Sequence, residues 1–327
     1  MKSVGWAVIG TGHMADGMAD AIRHADGAKL MTVVGRTREG ASSFAERHGA
    51  ASAHDDLTAA LGTAVDAVYV GSPNALHAEH VRQALDAGKH VLCDKPLATD
   101  VSVAEALCAR AARDGLLLSV NFQVRQHPGV ALVRGWLRDG LLGRIVAVRA
   151  SIAFGPEELV GWRSEPELAS AAAVYNLGVH AIDTLLALID DRVETAACVL
   201  RPPETALDRT AVATFTFAGG AVASVLVSQE LSHDDVRIEI LGTHGRIDWD
   251  GWMAPYRKGT LTLRAGDRPA TKVDVECSDA YRRVAATFTR AILTGGVPVP
   301  SPDDVLRTVR VVEAALTAAR QQRVVSP

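Results

Sequence analysis

The chain has 327 residues, 48% of them hydrophobic and 22% charged, an ordinary composition for a globular protein long enough to form two domains. A formal net charge of −4 excludes the strongly basic surface by which many proteins bind nucleic acid. The four cysteines are widely spaced and lack metal-ligand spacing, so we expect reduced thiols in a cytoplasmic protein.

The amino-terminal residues and the apolar runs bear on localisation. The first predicted strand lies within residues 1–10, so we expect no signal peptide ahead of it. No apolar run approaches the roughly 20 residues that a membrane span requires. We therefore expect no membrane partner.

The first predicted strand, residues 4–9, runs into Gly10-Thr11-Gly12-His13-Met14-Ala15 and then into a helical pattern. This is the G-x-G-x-x-A order of a dinucleotide-binding turn between a strand and a helix. Gly10 permits the tight turn, Gly12 lets a pyrophosphate approach the backbone, and Ala15 lets the helix pack closely. Free N–H groups at the helix start would receive the phosphates. The alternative is an ordinary tight turn.

Strands and helices then alternate as far as residue 120. The further predicted strands are 29–34, 51–53, 64–70, 90–93 and 116–120. The predicted helices are 13–24, 40–48, 57–61, 75–87 and 101–113. Nearly continuous apolar strands between helices indicate a parallel sheet covered on both faces. We predict an α/β, doubly wound Rossmann domain over residues 1–121.

Beyond residue 121 the pattern changes to successive strands joined by short turns. The predicted strands are 144–152, 193–200, 210–217, 221–229, 236–241, 260–264 and 272–276, and the predicted helices are 128–137, 177–189, 280–293 and 302–321. Short turns imply antiparallel pairing, so we predict an α+β second domain over residues 122–327 with a large open, mostly antiparallel sheet. One apolar sheet face is available to a partner subunit, and the last helix can pack back on the first domain.

The second strand is followed by a basic loop, Gly35-Arg36-Thr37-Arg38. A carboxylate at this point, roughly 20 residues after the glycine turn, would accept the ribose 2′-OH of NAD. Guanidinium groups suit a 2′-phosphate instead, so the loop favours NADP, with NAD as a possible alternative. A solvated basic loop without a ligand is the other interpretation.

The fourth strand ends in Gly71-Ser72-Pro73-Asn74, before a helix that carries His77 and His80. Ligands of open parallel sheets bind outside the carboxyl ends of the strands, so we assign Ser72, Pro73, Asn74 and His77 to the cofactor site. Asn74 also suits a helix N-cap. The two histidines lie three residues apart without a third candidate ligand, so we expect polar or packing contacts and no metal site.

The fifth strand ends in Asp94-Lys95-Pro96. A lysine beside a nucleotide site can stabilise negative charge on a carbonyl or carbinol oxygen. Pro96 restricts the backbone next to Lys95. A surface lysine in a turn is the alternative.

In the second domain, Asn176, His180 and Asp183 form one polar stripe on a predicted helix. A histidine can pass a proton during hydride transfer because it titrates near neutral pH. The alternatives are a helix N-cap for Asn176 and a buried structural role for His180.

Together these blocks resemble the oxidoreductase family of glucose–fructose oxidoreductase and inositol dehydrogenase, the Gfo/Idh/MocA family, over essentially the whole chain. The matching blocks are the glycine turn, Asp94-Lys95-Pro96 where the family has Glu-Lys-Pro, and the helix from Asn176 to Asp183. The resemblance implies catalytic roles for Lys95 and His180 and a cis peptide before Pro96. It also implies an open sheet used to form a homodimer or homotetramer.

Two features resemble the NADP-dependent 1,5-anhydrofructose reductase branch of this family. One is the basic loop, and the other is Gly161-Trp162-Arg163, by which Trp162 and Arg163 are expected to close over the cofactor. One feature departs from inositol dehydrogenase, because Asn176 stands where such members have an aspartate. An amide can orient a histidine but cannot favour its charged form as a carboxylate does.

The sequence therefore predicts an NADP(H)-dependent oxidoreductase that transfers hydride to or from a hydroxyl or ketone carbon of a sugar or polyol-like substrate. Lys95 would polarise the oxygen, His180 would move the proton, and Asn176 would orient the histidine. Gln123, Arg125 and Asp183 are candidates for substrate contacts or for contacts that support the substrate-binding residues, and a structural role is the alternative for each. The alternatives are an NADP-binding sensor with weak catalysis, suggested by Asn176, and a hydrolase or lyase that retains its nucleotide.

Overall fold

The computed structural model describes residues 3–62, 64–155, 160–202, 207–253 and 258–327. The chain divides into two compact units, one formed by Met1–Gln123 with Asp279–Val309, and the other by Val124–Ser278 with Arg310–Pro327. The sequence-based boundary at residues 121 and 122 lies two residues from the first of these divisions. Residues 279–309 group with the first unit. They include the predicted helix 280–293, which had been assigned to the second domain, and the start of the last helix, which was expected to pack back on the first.

The elements of the first 120 residues alternate as predicted. They are β1 (Val4–Ile9), α1 (His13–Arg23), β2 (Ala28–Val34), α2 (Arg38–His48), β3 (Ser52–His54), α3 (Leu57–Ala60), β4 (Ala67–Val70), α4 (His77–Asp86), β5 (His90–Cys93), α5 (Val101–Arg113) and β6 (Leu118–Val120). Short 3₁₀ turns lie at Asn74–Leu76 and Gln123–Gln126.

The later elements begin with α6 (Pro128–Arg138) and β7 (Ile145–Ala153). They continue with α7 (Pro166–Ala169), α8 (Val179–Leu188), β8 (Val193–Arg201), β9 (Thr210–Phe217), β10 (Val222–Ser228), β11 (Asp235–Gly242), β12 (Gly245–Asp250), β13 (Lys258–Ala265), β14 (Thr271–Glu276), α9 (Ala280–Thr294) and α10 (Pro302–Gln321). A 3₁₀ turn at Gly161–Ser164 and a π-helical turn at Val174–Gly178 lie between β7 and α8.

The first unit contains a six-stranded sheet of order β3-β2-β1-β4-β5-β6, with every pairing parallel. Strands β1 and β4 are buried along their whole length, as expected for a sheet with helices on both faces. The chain reverses its direction of sheet growth between β1 and β4. This arrangement confirms the predicted doubly wound Rossmann class and locates its switch point.

Helix α9 returns to this unit and packs against α1 and β1. The rings of Trp6 and Phe288 lie 5.6 Å apart between centroids, and Trp6 Nε1 donates a hydrogen bond to Thr289 Oγ1 at 3.2 Å. Trp6 is fully buried, so this contact closes the apolar core beside β1.

The second unit contains an eight-stranded sheet of order β14-β13-β12-β11-β7-β10-β9-β8. All neighbours pair antiparallel except β7 and β10, which are parallel. The predicted open, mostly antiparallel sheet is confirmed. One strand, β12, was missed. The helix expected at 177–189 is present as α8, and its first residues belong to the π-helical turn that precedes it.

One segment, Pro166–Leu188, is long and apolar enough to cross a membrane by length and composition, contrary to the sequence expectation. In the structure, 83% of its most apolar window is buried. Every residue of α8 is buried among protein atoms, because this helix lies in the core of the second unit. Helices of this kind meet the same length and hydropathy criteria as membrane spans.

Candidate active site

Four turns of the first unit lie side by side at the carboxyl edge of the parallel sheet. The amide of Gly71 donates to the carbonyl of Ile9 at 2.8 Å, and the amide of Asp94 donates to the carbonyl of Val70 at 2.7 Å. The amide of Asn121 follows the same pattern after β6. The backbone hydrogen bonds between neighbouring strands thus continue past the strand ends. They hold the glycine turn, the Ser72 turn and the Lys95 turn side by side.

The glycine turn has the shape that a pyrophosphate needs. Gly10 has a φ of +106°, and a Cβ there would lie 2.5 Å from the Gly71 carbonyl oxygen, so only glycine fits. Gly12 precedes α1 with no side-chain cap, and a Cβ there would meet nothing within 4 Å. The first amides of α1 therefore face open space that suits phosphate oxygens. Thr11 and His13 are exposed at its rim, Met14 is half-buried, and Ala15 is buried.

The basic loop follows directly at the end of β2. The amide of Gly35 donates to the carbonyl of His54, which anchors the start of the loop. Arg36, Thr37 and Arg38 are exposed, and Thr37 Oγ1 accepts a hydrogen bond from the amide of Gly40 at 3.2 Å. Thr37 is therefore the N-cap of α2, and the two arginines flank it.

The helix after the Ser72 turn directs its histidines inward. His77 is 1% exposed, with Nδ1 2.6 Å from the carbonyl oxygen of Pro96 and Nε2 2.8 Å from that of Ser72. His80 Nδ1 lies 2.9 Å from Ser72 Oγ. Asn74 is also buried. His77 thus links two turns of the site, a role that spacing alone did not predict.

Asp94 and Lys95 stand where β5 ends. The peptide between Lys95 and Pro96 is cis, as the family resemblance implied. Lys95 is half-buried and Asp94 is 8% exposed. Asn121 Nδ2 donates to Asp94 Oδ1 at 3.4 Å.

Two tyrosines lie near Asp94. Burial, reinforced by the Asp94 carboxylate, raises the pKa of Tyr69 and of Tyr281 above the usual range. The Tyr281 hydroxyl also contacts the sulfur of Met14 at 3.6 Å. Sequence reasoning missed Asn121 and Tyr281. Asn121 was detectable because it directly follows a parallel strand, whereas Tyr281 comes from α9 and no local signal marked it.

In the second unit, Trp162 and Arg163 lie together on the 3₁₀ turn Gly161–Ser164. The guanidinium carbon of Arg163 lies 4.5 Å from the Trp162 ring centroid, within the range of a cation–π contact. Both side chains are half-buried. The turn therefore presents one stacked aromatic–cation pair.

The polar stripe begins in the π-helical turn. The amide of Val179 bonds to the carbonyl of Val174, five residues back, and regular α-helix follows. Each residue of an α-helix is rotated by about 100° about the helix axis, so residues four positions apart are rotated by more than one full turn. The rotation per residue is smaller in the wider π-helix. This aligns Asn176 more closely with His180 than a regular helix would. Asn176 is half-buried and His180 is 4% exposed.

Asp208, which the sequence did not single out, holds the start of this helix. Its two carboxylate oxygens accept hydrogen bonds from the amides of Ala172 at 2.6 Å and Val174 at 2.8 Å. Asp208 is 2% exposed, and burial raises its pKa despite these bonds. The carboxylate thereby fixes the backbone from which Asn176 and His180 project.

The predicted substrate contacts Arg125 and Asp183 are joined to each other in the second unit. The guanidinium of Arg125 donates to both oxygens of Asp183 at 2.9–3.1 Å, and both side chains are buried. Gln123 is 9% exposed and belongs to the first unit. Across the described residues, no group of three or more His, Cys, Asp or Glu side chains is arranged to hold a metal ion.

Two family profiles match the chain. Residues 4–122 match the oxidoreductase family with an NAD-binding Rossmann fold, and residues 130–248 match the GFO/IDH/MocA C-terminal domain. The glycine turn, the basic loop and Asp94-Lys95-Pro96 lie within the first match, and Trp162, Arg163 and the Asn176–Asp183 stripe lie within the second. The two matches therefore contain every block on which the resemblance was based.

Similar proteins include 1,5-anhydro-D-fructose reductase of Ensifer adhaerens, 27% identical over 91% of both chains. dTDP-3,4-didehydro-2,6-dideoxy-alpha-D-glucose 3-reductase of Actinomadura kijaniata is 30% identical over 89% of this chain and 88% of the relative. A 3-ketoreductase structure from Actinomadura kijaniata, in complex with TDP-benzene and NADP, has a TM-score of 0.86 and 28% identity, covering 97% of this chain and 98% of that one. The protein is therefore an oxidoreductase and a member of the GFO/IDH/MocA family.

Proposed function

We propose that the protein is an NADP(H)-dependent dehydrogenase or reductase that acts on a hydroxyl or ketone carbon of a sugar or polyol-like substrate. One observation carries the proposal. The open space beside Gly12, which we call the phosphate cradle, and the turn that carries the Lys95 amine lie side by side at the carboxyl edge of the parallel sheet. Folds of this kind bind dinucleotides at that edge.

The nicotinamide cofactor, when bound, supplies or accepts the hydride. Lys95 hydrogen-bonds the substrate oxygen and stabilises the negative charge that develops on it. His180 gives or takes the proton of that oxygen, and the neighbouring Asn176 orients the imidazole. Replacing Lys95 by alanine should nearly abolish turnover while leaving cofactor binding intact.

The basic loop supports NADP over NAD. Arg36 and Arg38 flank a helix start and are exposed, so their guanidinium groups can reach a 2′-phosphate. No carboxylate precedes Glu39 in this loop. A related structure that shares 28% identity holds NADP. Relatives named for sugar and nucleotide-sugar reduction support the substrate class.

We also propose that the protein forms a homodimer or homotetramer through the open face of the eight-stranded sheet. Val199, Val212 and Val222 lie on that face with exposed fractions of 55%, 44% and 49%. Farther across the same face, Glu239 and Asp248 alternate with arginines in a chain of ion pairs. The sheet face therefore carries an apolar strip and a strip of paired charges. Such a face can pack against the same face of a second copy of the protein. All four cysteines carry thiols rather than disulfides, which supports a cytoplasmic location.

The decisive test is a spectrophotometric panel of NADPH and NADH against ketoses, osones, inososes and aromatic dicarbonyls. We expect net NADPH oxidation with at least one sugar-like ketone, and loss of that activity in Lys95→Ala. Substrate turnover without any change in nicotinamide absorbance would instead favour a redox-assisted hydrolase or lyase.

Asn176 favours one second candidate, an NADP-binding sensor with weak catalysis. An amide beside His180 cannot favour the charged imidazole as an aspartate would. NADPH binding without turnover of any substrate in the panel would support this candidate.

A further inference from the structure

The imidazole of His77 bridges the backbones of two turns in the proposed site. Its Nδ1 lies 2.6 Å from the carbonyl oxygen of Pro96, and its Nε2 lies 2.8 Å from the carbonyl oxygen of Ser72. Pro96 directly follows Lys95, and Ser72 belongs to the turn after β4. The ring is 1% exposed, so both contacts are made away from bulk solvent.

Both of these partners are carbonyl groups, which can only accept hydrogen bonds. A neutral imidazole carries one N–H, whereas an imidazolium carries two. A neutral His77 can therefore satisfy only one of the two carbonyls. The contact with Pro96 is the shorter and the more deeply buried one, so the single proton belongs on Nδ1.

The charged and titratable groups around His77 have opposing effects. Burial is the largest influence and lowers the pKa of His77, and the nearby Lys95 ammonium lowers it further. The Asp94 carboxylate and the two carbonyls act in the opposite direction. His80, on the same helix, also has a pKa lowered by burial and by His77. At neutral pH the ring therefore holds one proton, and acidification adds the second.

Resting on the proposed function, we propose that His77 is a positioning residue for Lys95. Its Nδ1–H holds the carbonyl of Pro96 and so fixes the backbone from which the Lys95 amine projects. The same ring sets the distance between this turn and the Ser72 turn, and only the second proton, which acidification adds to Nε2, completes the hydrogen bond to Ser72.

The expected consequence is kinetic, because small displacements of a catalytic group are costly. A misplacement of about 1 Å can lower the rate by roughly 10²-fold. Loss of the bond to Pro96 should therefore reduce kcat more than it changes the KM for NADPH. Loss of the contact with Ser72 should act mainly on NADPH binding, because that turn belongs to the predicted cofactor site.

Two amide substitutions distinguish the contact with Pro96 from the contact with Ser72. The amide nitrogen of asparagine can take the place of Nδ1, whereas that of glutamine reaches the place of Nε2. We expect His77→Asn to keep kcat within about threefold of wild type, and His77→Gln to lower kcat roughly tenfold or more. His90→Asn is the matched control: His90 lies at the opposite end of the β5 strand, and its imidazole Nδ1 accepts a hydrogen bond from the amide of Leu117. Its kcat should equal that of wild type.

A readout independent of substrate separates this proposal from the proposed function. The acylation rate of Lys95 is measured by mass spectrometry against Lys89 as an internal reference. It reports the position and accessibility of the Lys95 amine directly. It should change in His77→Gln and remain close to wild type in His77→Asn. If wild type turned over no substrate, the proposed function would fail while this measurement still tested His77.

Two results would overturn the proposal. One is an unchanged Lys95 acylation rate and kcat in His77→Gln, which would leave His77 with a packing role only. The other comes from the wild-type protein and does not depend on folding of the variants. Nitrogen-15 NMR of the histidine rings at neutral pH should show His77 protonated on Nδ1, and a proton on Nε2 alone would contradict the proposed contact.

Discussion

The guanidinium of Arg125 holds the carboxylate of Asp183 in a two-pronged ion pair, although the two residues lie 58 positions apart in the chain. Asp183 is 1% exposed, and the side chain of Arg125 is 8% exposed. Asp183 lies one helical turn after His180. The pair therefore ties the helix that carries the histidine to the turn that begins the second unit.

Removing one partner of this pair should be strongly destabilising. Asp183→Asn leaves the Arg125 charge buried without its counter-charge, and we expect a loss of about 3–5 kcal/mol in the free energy of unfolding. Urea unfolding measures this loss. Glu194→Gln, which removes the partner of Arg192 in an exposed pair, is the control and should leave the midpoint unchanged. A loss below about 1 kcal/mol in Asp183→Asn would mean that water reaches the pair.

Two glycines of the first turn should respond differently to alanine. In Gly10→Ala the new methyl group meets the Gly71 carbonyl, and the φ of +106° is strained, so we expect poor folding. In Gly12→Ala the methyl group meets no protein atom within 4 Å, so the fold should persist. The methyl group would instead occupy the phosphate cradle, and the Kd for NADPH should rise roughly tenfold or more.

Gly17→Ala is the control for the Gly12 variant, because Gly17 lies inside α1 and also has no atom within 4 Å of a Cβ. It should gain about 0.5–1 kcal/mol of stability through helix propensity and bind NADPH normally. Isothermal titration and thermal unfolding of the three variants check both outcomes. Unchanged NADPH affinity in Gly12→Ala would place the pyrophosphate elsewhere.

The parts of the molecule that follow local rules were predictable from the sequence. The glycine turn, the Lys95 turn and the basic loop each follow a buried strand, and strand ends of a parallel sheet share one edge. The contacts that sequence reasoning missed join distant segments. Arg125 and Asp183 were candidates for substrate, supporting or structural contacts, and their pairing with each other depends on tertiary folding, so no local signal in the sequence marked it.

Two features of the second sheet have identifiable physical causes. Strand β7 pairs in parallel with β10, which agrees with a mostly rather than wholly antiparallel sheet, because the chain between them includes two helices and two further strands instead of a short turn. Strand β12 was missed because Asp248 and Asp250 reduce its apparent strand propensity. In the sheet these aspartates pair with arginines of neighbouring strands.

The two arginines of the basic loop should determine cofactor preference. Substituting both Arg36 and Arg38 with serine removes the charges expected to hold the 2′-phosphate. We expect the KM for NADPH to rise by roughly 10-fold or more while the KM for NADH changes little, since each charge-assisted contact contributes about 1.5–3 kcal/mol. Arg23→Ser is the control, because Arg23 lies in the last turn of α1, at the end of that helix away from the glycine turn. Equal losses for both cofactors would assign the loop to another role.

Acid should destabilise the first unit through its buried histidines. Burial lowers the pKa of His77, His80 and His90 from the ordinary value of 6.5. The unfolded chain then binds more protons than the folded one below that value, so this stability is present above pH 6.5 and lost as the pH falls through the lowered values. The Tm should therefore drop between about pH 8 and about pH 5.5.

His90→Asn tests the share of this loss that comes from one histidine. Asparagine keeps an acceptor for the amide of Leu117 but does not titrate. The variant should lose less stability than wild type over the same pH range. An identical pH dependence of Tm in the two proteins would show that His90 titrates alike in the folded and unfolded states.

Asn176 lies in the π-helical turn, on the same helix face as His180. Asn176→Asp places a carboxylate there, and a neighbouring carboxylate favours the charged form of an imidazole. If the protein is a working reductase whose histidine donates a proton, the acid–base limbs of its pH–rate profile should move to higher pH in this variant. Asn176→Ala is the control and removes orientation without adding charge. It should lower kcat without moving the limbs of the pH–rate profile.

A large gain in kcat for Asn176→Asp at neutral pH would instead identify the natural protein as a weak catalyst that binds NADP, since the amide would then be limiting proton transfer.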